Sequence, residues 1–388
     1  TNELVIAKGG ASIGASGRFN LNRLQMTLAG QTTPSLDFSA DYDVSVDAEG
    51  GNALLRAFNL RGVQEQQVFL TGSLTSPMAF AWGTAGGNAG DAALSVLVTN
   101  FNLAGWRAFL GEVAPAGVVN AGLRLASAQS GKELAFEADS GIQDLTLRFG
   151  SNELARAFVK LRARGKALEF DQYTVPVYRL EAGHLNQPFL TVAGTTSYRA
   201  STEAAEAQVK GRLLLARAAD ALGMPDLKLA SGEADLDLRL EQTKGKQTVA
   251  GTAAVKEVTG PLAGSALEAF SANADLAAEM TADEFQLRNL AGKVAQGGRP
   301  GGDFVISATY NFTNSNARFS ARLKDFNQNA LGPFLQPYLE GRRLASVAIN
   351  GEAAGEYHAV SGGRFSADMT LTNLVVTDSK SAGRPAPL

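Results

Sequence analysis

The chain has 388 residues, 45% of them hydrophobic and 7% aromatic, with a net charge of −3 and no cysteine. Dispersed charge without clustered Lys and Arg argues against a nucleic-acid partner, and the lack of thiols removes disulfides, thiol catalysis, thiolate metal sites and iron–sulfur clusters together. The length allows one sizeable core or two to three ordinary domains.

The chain opens at Thr1 rather than Met, so it is expected to be a piece of a longer protein, and a missing leader or anchor says nothing. The longest uncharged run, Val68 to Gly90, is interrupted by Pro77 and five Gly. It is not a spanning helix, which needs about 20 mostly apolar residues.

Strand-like alternation begins at Leu24-Met26-Leu28 and is clearest over Leu36–Asp47. There Leu36, Phe38, Ala40, Tyr42, Val44 and Val46 alternate with Asp and Ser. Successive strand side chains point to opposite faces, so this segment has one apolar and one wet face. The pattern returns at Leu94-Val96-Val98, Leu134-Phe136-Ala138, Leu145-Leu147-Phe149 and Leu236-Leu238-Leu240. Later examples are Phe304-Ile306-Ala308-Tyr310-Phe312, Phe319-Ala321-Leu323, Val347-Ile349 and Met369-Leu371. Gly-centred turns separate them, at Glu49–Asn52, Gly86–Asn88, Ser130–Lys132, Lys244–Lys246, Gly297–Gly302 and Ser361–Gly363. Short one-sided strands with such turns predict antiparallel hairpins. Helical spacing is rare. Asn152–Leu161 carries Leu154, Phe158 and Leu161 behind a Ser151 or Asn152 cap and predicts a helix. Leu103–Leu110, Ala216–Leu222 and Asn329–Leu339 predict shorter pieces, the last limited by Pro333 and Pro337.

Val98–Leu110 and Leu323–Leu335 share a strand end, then Phe-Asn, then Phe-Leu eight residues after the first Phe. A fainter copy starts at Arg212. The spacing predicts a repeat of roughly 110 residues and a division at 1–92, 93–205, 206–316 and 317–388, read as parts of one continuous sheet.

Chemistry-bearing motifs are sparse. His184 and His358 are far apart and lack a second ligand at metal spacing. Asp41 with Asp43, and Asp235 with Asp237, read as the wet face of strands rather than as acid–base or cation pairs. Gly86–Asp91 resembles one copy of a cation-binding β-roll motif, but such rolls need several in series. There is no G-x-S-x-G, P-loop or dinucleotide fingerprint. Trp106, near Phe101 and Phe109, reads as a core plug. No catalytic residue, metal or cofactor is expected, and the chain is read as a non-enzyme.

The segment Phe285–Gly298, a strand followed by Leu-Ala-Gly-Lys-Val and Gly-Gly, resembles the recurring unit of the AsmA-like superfamily, which includes TamB and YhdP. So do the strand Ala317–Asp325, the helix to Leu339, Leu344–Gly351, Met369–Val376 and the turn at Leu190–Gly194. The resemblance implies an all-β protein with a few short helices, whose long twisted antiparallel sheet curls into an elongated hydrophobic groove. It implies bridge-like phospholipid transport between inner and outer membranes, in the periplasm of a Gram-negative bacterium. It also implies an inner-membrane anchor outside this chain, acyl chains as ligand and a possible outer-membrane protein partner. Hydrophobicity points the same way, since each buried Leu, Val or Phe contributes roughly 1.5–3 kcal/mol and large bare apolar patches are rare. The expected lipid-lining residues are Leu36, Phe38, Val44, Phe136, Leu145, Leu147, Leu236, Leu238, Leu240, Phe304, Ile306, Phe319, Leu323, Met369 and Leu371. The rival readings are a closed β-sandwich, a β-rich adhesin or autotransporter-like passenger, and a carbohydrate-active enzyme, which needs a convergent carboxylate pair and aromatic platforms.

Overall fold

Alternating side chains write strands along almost the whole chain, and the computed structural model bears this out over residues 2–28, 30–83, 90–111, 115–149, 152–224, 227–262, 265–378 and 386–387. The turn at Gly86–Asn88 and most of the Gly86–Asp91 motif lie outside the described residues. The chain divides into two units, Thr1–Glu203 and Ala204–Leu388.

The first unit opens with the hairpin β1 (Asn2–Ala7) and β2 (Ser12–Leu24), followed by a small separate ribbon of β3 (Thr27–Leu28) and β4 (Gln31–Thr32). Then come β5 (Leu36–Asp47), β6 (Asn52–Gln64), β7 (Gln67–Leu74), β8 (Met78–Ala81) and β9 (Ala92–Asn102). A 3-10 helix at Ala104–Phe109 leads to β10 (Ala116–Ala128), β11 (Glu133–Phe149), β12 (Asn152–Leu168), β13 (Gln172–His184) and β14 (Gln187–Arg199). All pairings are antiparallel. β2 joins β5, β6 carries both β7 and β8, β7 joins β9, and each strand from β9 to β14 pairs with the next.

The second unit runs from β15 (Ala204–Leu214) through helix α1 (Leu215–Ala221) to β16 (Ser231–Thr243), β17 (Lys246–Leu262) and β18 (Ser265–Thr281). It continues with β19 (Glu284–Gln296), β20 (Arg299–Asn311), β21 (Asn316–Asn327) and helix α2 (Gln328–Leu335). A 3-10 turn at Gln336–Tyr338 precedes β22 (Arg342–His358), β23 (Gly362–Asp378) and the short β24 (Ala386–Pro387). Each strand is antiparallel to the next. Among the described residues β1 pairs only with β2, and β24 only with β23. The strands form one long antiparallel sheet that is not closed into a barrel.

Three of the four expected helical pieces form, but Asn152–Leu161 is strand β12. The cause is a β-bulge. Arg156 has φ 53°, and the extra residue puts Leu154 and Ala157, three apart, opposite Leu147 and Leu145. Val159 and Leu161 then resume a period of two. Spacings of three and two along one face imitate a helix.

Bulges of this kind recur at a fixed interval. Left-handed residues stand at Asp144 and Arg156, and again 113 positions on at Glu257 (257 − 144) and Ala269 (269 − 156). The strands β10 to β14 have 13, 17, 17, 13 and 13 residues, and β16 to β20 repeat those lengths. A helix follows β9, β15 and β21. A left-handed conformation strains a non-Gly residue, and at several bulges a neighbouring strand captures the exposed amide. Asn100 N–H donates to Asn120 Oδ1 (2.9 Å), and its counterpart Asp325 N–H to Asn350 Oδ1 (2.8 Å).

Beyond the bulges, dense packing lies under the helices and around β8, where Met78, Ala79 and Ala81 are almost fully buried. In the second unit Leu229, Val258 and Leu267 are buried and packed by Leu215 and Ala216 of α1 and by Phe270. Helix α2 reaches β18 through β22, and Asn327 caps it, its side-chain oxygen accepting from Asn329 N–H. Gly301 is required beneath it, because a Cβ there would stand 2.9 Å from the Ala330 backbone nitrogen. In the first unit Leu145, Leu154, Ala157 and Phe158 are buried at the equivalent end of β11 and β12.

Candidate functional site: an uncovered apolar sheet face

Directly opposed residues in an antiparallel pair share a face, so the register draws the surface. In the second unit Leu238 sits between Val209 and Gly251, and its row continues through Leu276, Leu290, Ile306, Ala321, Ala353 and Ala367. Leu236 begins a parallel row through Ala253, Ala274, Gly292, Phe304, Leu323, Gly351 and Met369. Leu240 begins a third, through Val249, Ala278, Leu287, Ala308, Phe319, Gly355 and Phe365. Leu371 faces Ile349 at the helix end. Every expected lining residue of this unit thus lies on one apolar face that crosses β15 to β23 without a charged side chain in those rows.

The first unit has the same kind of face. Phe38 lies between Leu21 and Gly62, Val44 between Ala15 and Leu55, and Phe136 between Leu125 and Gly165. Leu147 opposes Leu154. Leu36 and Leu145 share the face but are only 6% and 5% exposed, so they belong to packed ends rather than to open surface. The other thirteen are exposed or half-buried, with Phe319 at 44% and Met369 at 52%.

Glycines opposite aromatic rings keep this face low, a feature the alternation pattern does not reveal. A Cβ on Gly355 would meet Phe319 Cε1 at 2.4 Å, one on Gly292 would meet Phe304 Cζ at 2.6 Å, and one on Gly165 would meet Phe136 Cε1 at 2.8 Å. Each ring lies down over the neighbouring strand's glycine. The readable signal is a Gly inside a strand whose partner strand carries Phe at the paired position, which needs the register.

The opposite face is laced with ion pairs. Lys210 reaches Asp237 at 3.0 Å, Lys256 reaches Asp235 at 2.5 Å, Arg322 reaches Glu352 at 2.6 Å and Arg56 reaches Asp43 at 3.0 Å. Arg18 pairs with Asp41. Hydrogen bonding from Lys256 holds Asp235 below the ordinary carboxylate range, and Lys210 does the same for Asp237. Glu279 is lowered by its hydrogen bond from Lys246, against a smaller opposing effect of desolvation, with help from Arg288. The carboxylate pairs are therefore wet-face partners of cations.

A concavity of about 540 Å³ in the first unit also belongs to this charged side. Arg124, Arg162, Arg164 and Arg179 wall it together with Glu137 and Asp139, above Gly122 and Leu97. Gly122 has no side chain to fill the space between those long neighbours. Trp106 packs against Phe101 at a ring distance of 6.1 Å, and Trp82 meets Phe170 at 6.3 Å. His184 lies in β13 opposite Ala157 and Gln187, and His358 Nε2 is 3.8 Å from Glu356. Among the described residues no three His, Asp or Glu side chains converge as metal ligands, and no helix is long and apolar enough to cross a membrane.

No family model, curated protein or solved structure matches this chain. Its surface must be read from its own chemistry. The floor is apolar and uncharged along its central rows, and the face behind it is ion-paired.

Proposed function

We propose that the protein is a non-enzymatic, AsmA-like lipid carrier whose apolar sheet face holds phospholipid acyl chains on their way between the inner and outer membranes. The observation that supports this reading is the unbroken apolar face from Val209 to Met369, bare of charge and backed by ion pairs. Such a surface needs a cover, because each buried methylene contributes about 0.8 kcal/mol. Acyl chains provide one that slides, since every row presents the same chemistry. In this reading the chain works in the periplasm of a Gram-negative cell, tethered to the inner membrane through a segment outside this chain, with a possible outer-membrane protein at the far end.

Photo-crosslinking tests it. A benzophenone amino acid at Leu238 or Ile306 is expected to capture phospholipid in cells, and native mass spectrometry of gently extracted protein should carry a heterogeneous lipid envelope. Crosslinks only to other strands of the chain, with lipid-free spectra, would mean that a closed sandwich covers the face instead.

A further inference from the structure

The apolar face is graded along the strands. At one end helices α1 and α2 stand over Val258, Leu267 and Phe270. The middle, with the Leu236, Leu238 and Leu240 rows, is apolar throughout, aliphatic apart from the rings of Phe304, Phe319 and Phe365, and carries no hydroxyl or amide side chain. At the other end, where the strands turn back in hairpins free of helix, the row carries Gln242, Gln247, Met280, Phe285, Tyr310 and Tyr357. Phe285, Tyr310, Phe312 and Tyr357 are 36%, 39%, 46% and 50% exposed. Gln247 Nε2 donates to Gln242 Oε1 at 3.4 Å. In the first unit, too, the end of the face away from the Ala104–Phe109 helix carries exposed Tyr173 and Tyr198, stacked at 6.1 Å.

We infer that an amphiphile with one polar end lies along the strands, its tails toward the helices and its head group at this tyrosine and phenylalanine rim. The inference rests on the acyl-chain reading above. Tyr offers an apolar ring and a polar tip, which is why aromatic residues gather where hydrocarbon meets a wet head-group layer. The lengths agree. From the Ala234 row to the Leu240 row is six residues, about 20 Å at ~3.3 Å each, near the ~15 Å of one leaflet in a ~30 Å hydrocarbon core. A purely hydrocarbon occupant would leave the Tyr310 and Tyr357 hydroxyls without a counterpart. A second sheet, apolar across its whole inner face, would bury those hydroxyls at a cost.

The cysteine-free chain allows a test with single labels. Ile349 and Tyr357 lie eight residues apart on the same face of β22. Ile349→Cys and Tyr357→Cys, each carrying a small bimane fluorophore, are loaded from vesicles of phosphatidylcholine that bears a nitroxide on the choline or near the acyl terminus. Label at 357 is expected to be quenched at least about threefold more by the choline nitroxide, and label at 349 by the acyl-terminal one. Phe304→Cys and Tyr310→Cys on β20 form a second pair should either first variant fail to fold by circular dichroism. Equal or inverted ratios overturn the orientation and leave lipid binding standing. No quenching at either site by either lipid overturns the acyl-chain reading itself.

Discussion

At the residue scale the two faces make opposite demands. Leu238 is half-buried in the central one of three apolar rows that cross β15 to β23, where a carboxylate has no partner and leaves water only at a cost. Leu238→Asp is expected to abolish lipid retention in native mass spectra while far-UV circular dichroism stays unchanged, because the residue is outside the buried cores. On the wet face, Asp235, Asp237 and Glu279 are held below their ordinary values by Lys256, Lys210 and Lys246. A depressed folded-state value means that the unfolded chain binds more protons, so stability rises with pH through this range. The contribution is present above the ordinary carboxylate values, near 4, and is lost as pH falls through the lower folded-state ones. Thermal midpoints are therefore expected to fall between pH 5 and pH 3. Replacing the three residues together with Asn, Asn and Gln should flatten that slope; an unchanged slope would show these exposed pairs to be idle. The alternation that marks Leu36–Asp47 as one-faced is fully legible in sequence, because each side chain's face follows from its parity. What parity leaves out is depth. Leu36 and Leu145 share the face with Phe38 and Leu147, yet the packed ends bury them.

At the element scale, bulges and glycines decide what alternation alone misreads. Arg156 turns a period of two into a step of three, and β12 then looks helical from its Leu154 and Phe158. The Ala104–Phe109 piece and α2 are legible because the repeated Phe-Asn…Phe-Leu pattern marks them off from strands, and α1 is legible from its helical spacing alone. The glycines beneath aromatic rings are not, since their partners lie on another strand. Phe319 on β21 rests over Gly355 on β22. Gly355→Ala should lift the ring, and a double-mutant cycle with Phe319→Leu is expected to show a coupling of about 0.5–3 kcal/mol in urea melts. Additive effects would mean that the ring does not depend on the glycine.

At the scale of the whole molecule, stability is spread out. Among the described residues dense packing sits at the helix ends and around Met78 of β8, and most strands hold only to their neighbours, as in repeat proteins whose stability is a sum of local and nearest-neighbour terms. Urea unfolding is expected to be broad, with a slope well below that of a two-state domain of this length. Hydrogen exchange should be fastest at the edge strand β1, where Leu4 and Ile6 are 65% and 62% exposed, and slowest in β11 and β12. A single sharp transition with uniform protection would argue instead for one continuous core. The repeat is visible in sequence as roughly 110 residues through its helical pieces; its 113-residue step becomes visible only through the bulges, since Arg156 answers to Ala269 and the Asp144 and Glu257 carboxylates are two among many on the wet face.

That step also sets a rule for how such a chain tolerates editing. Asp144 and Glu257 are equivalent positions, so excising residues 145–257 joins two matching bulges and returns every later side chain to its own face. Excising one residue more or fewer inverts the parity downstream, turning leucines to water and arginines to the floor. Length in this protein is therefore expected to change without loss of facing only by whole repeats.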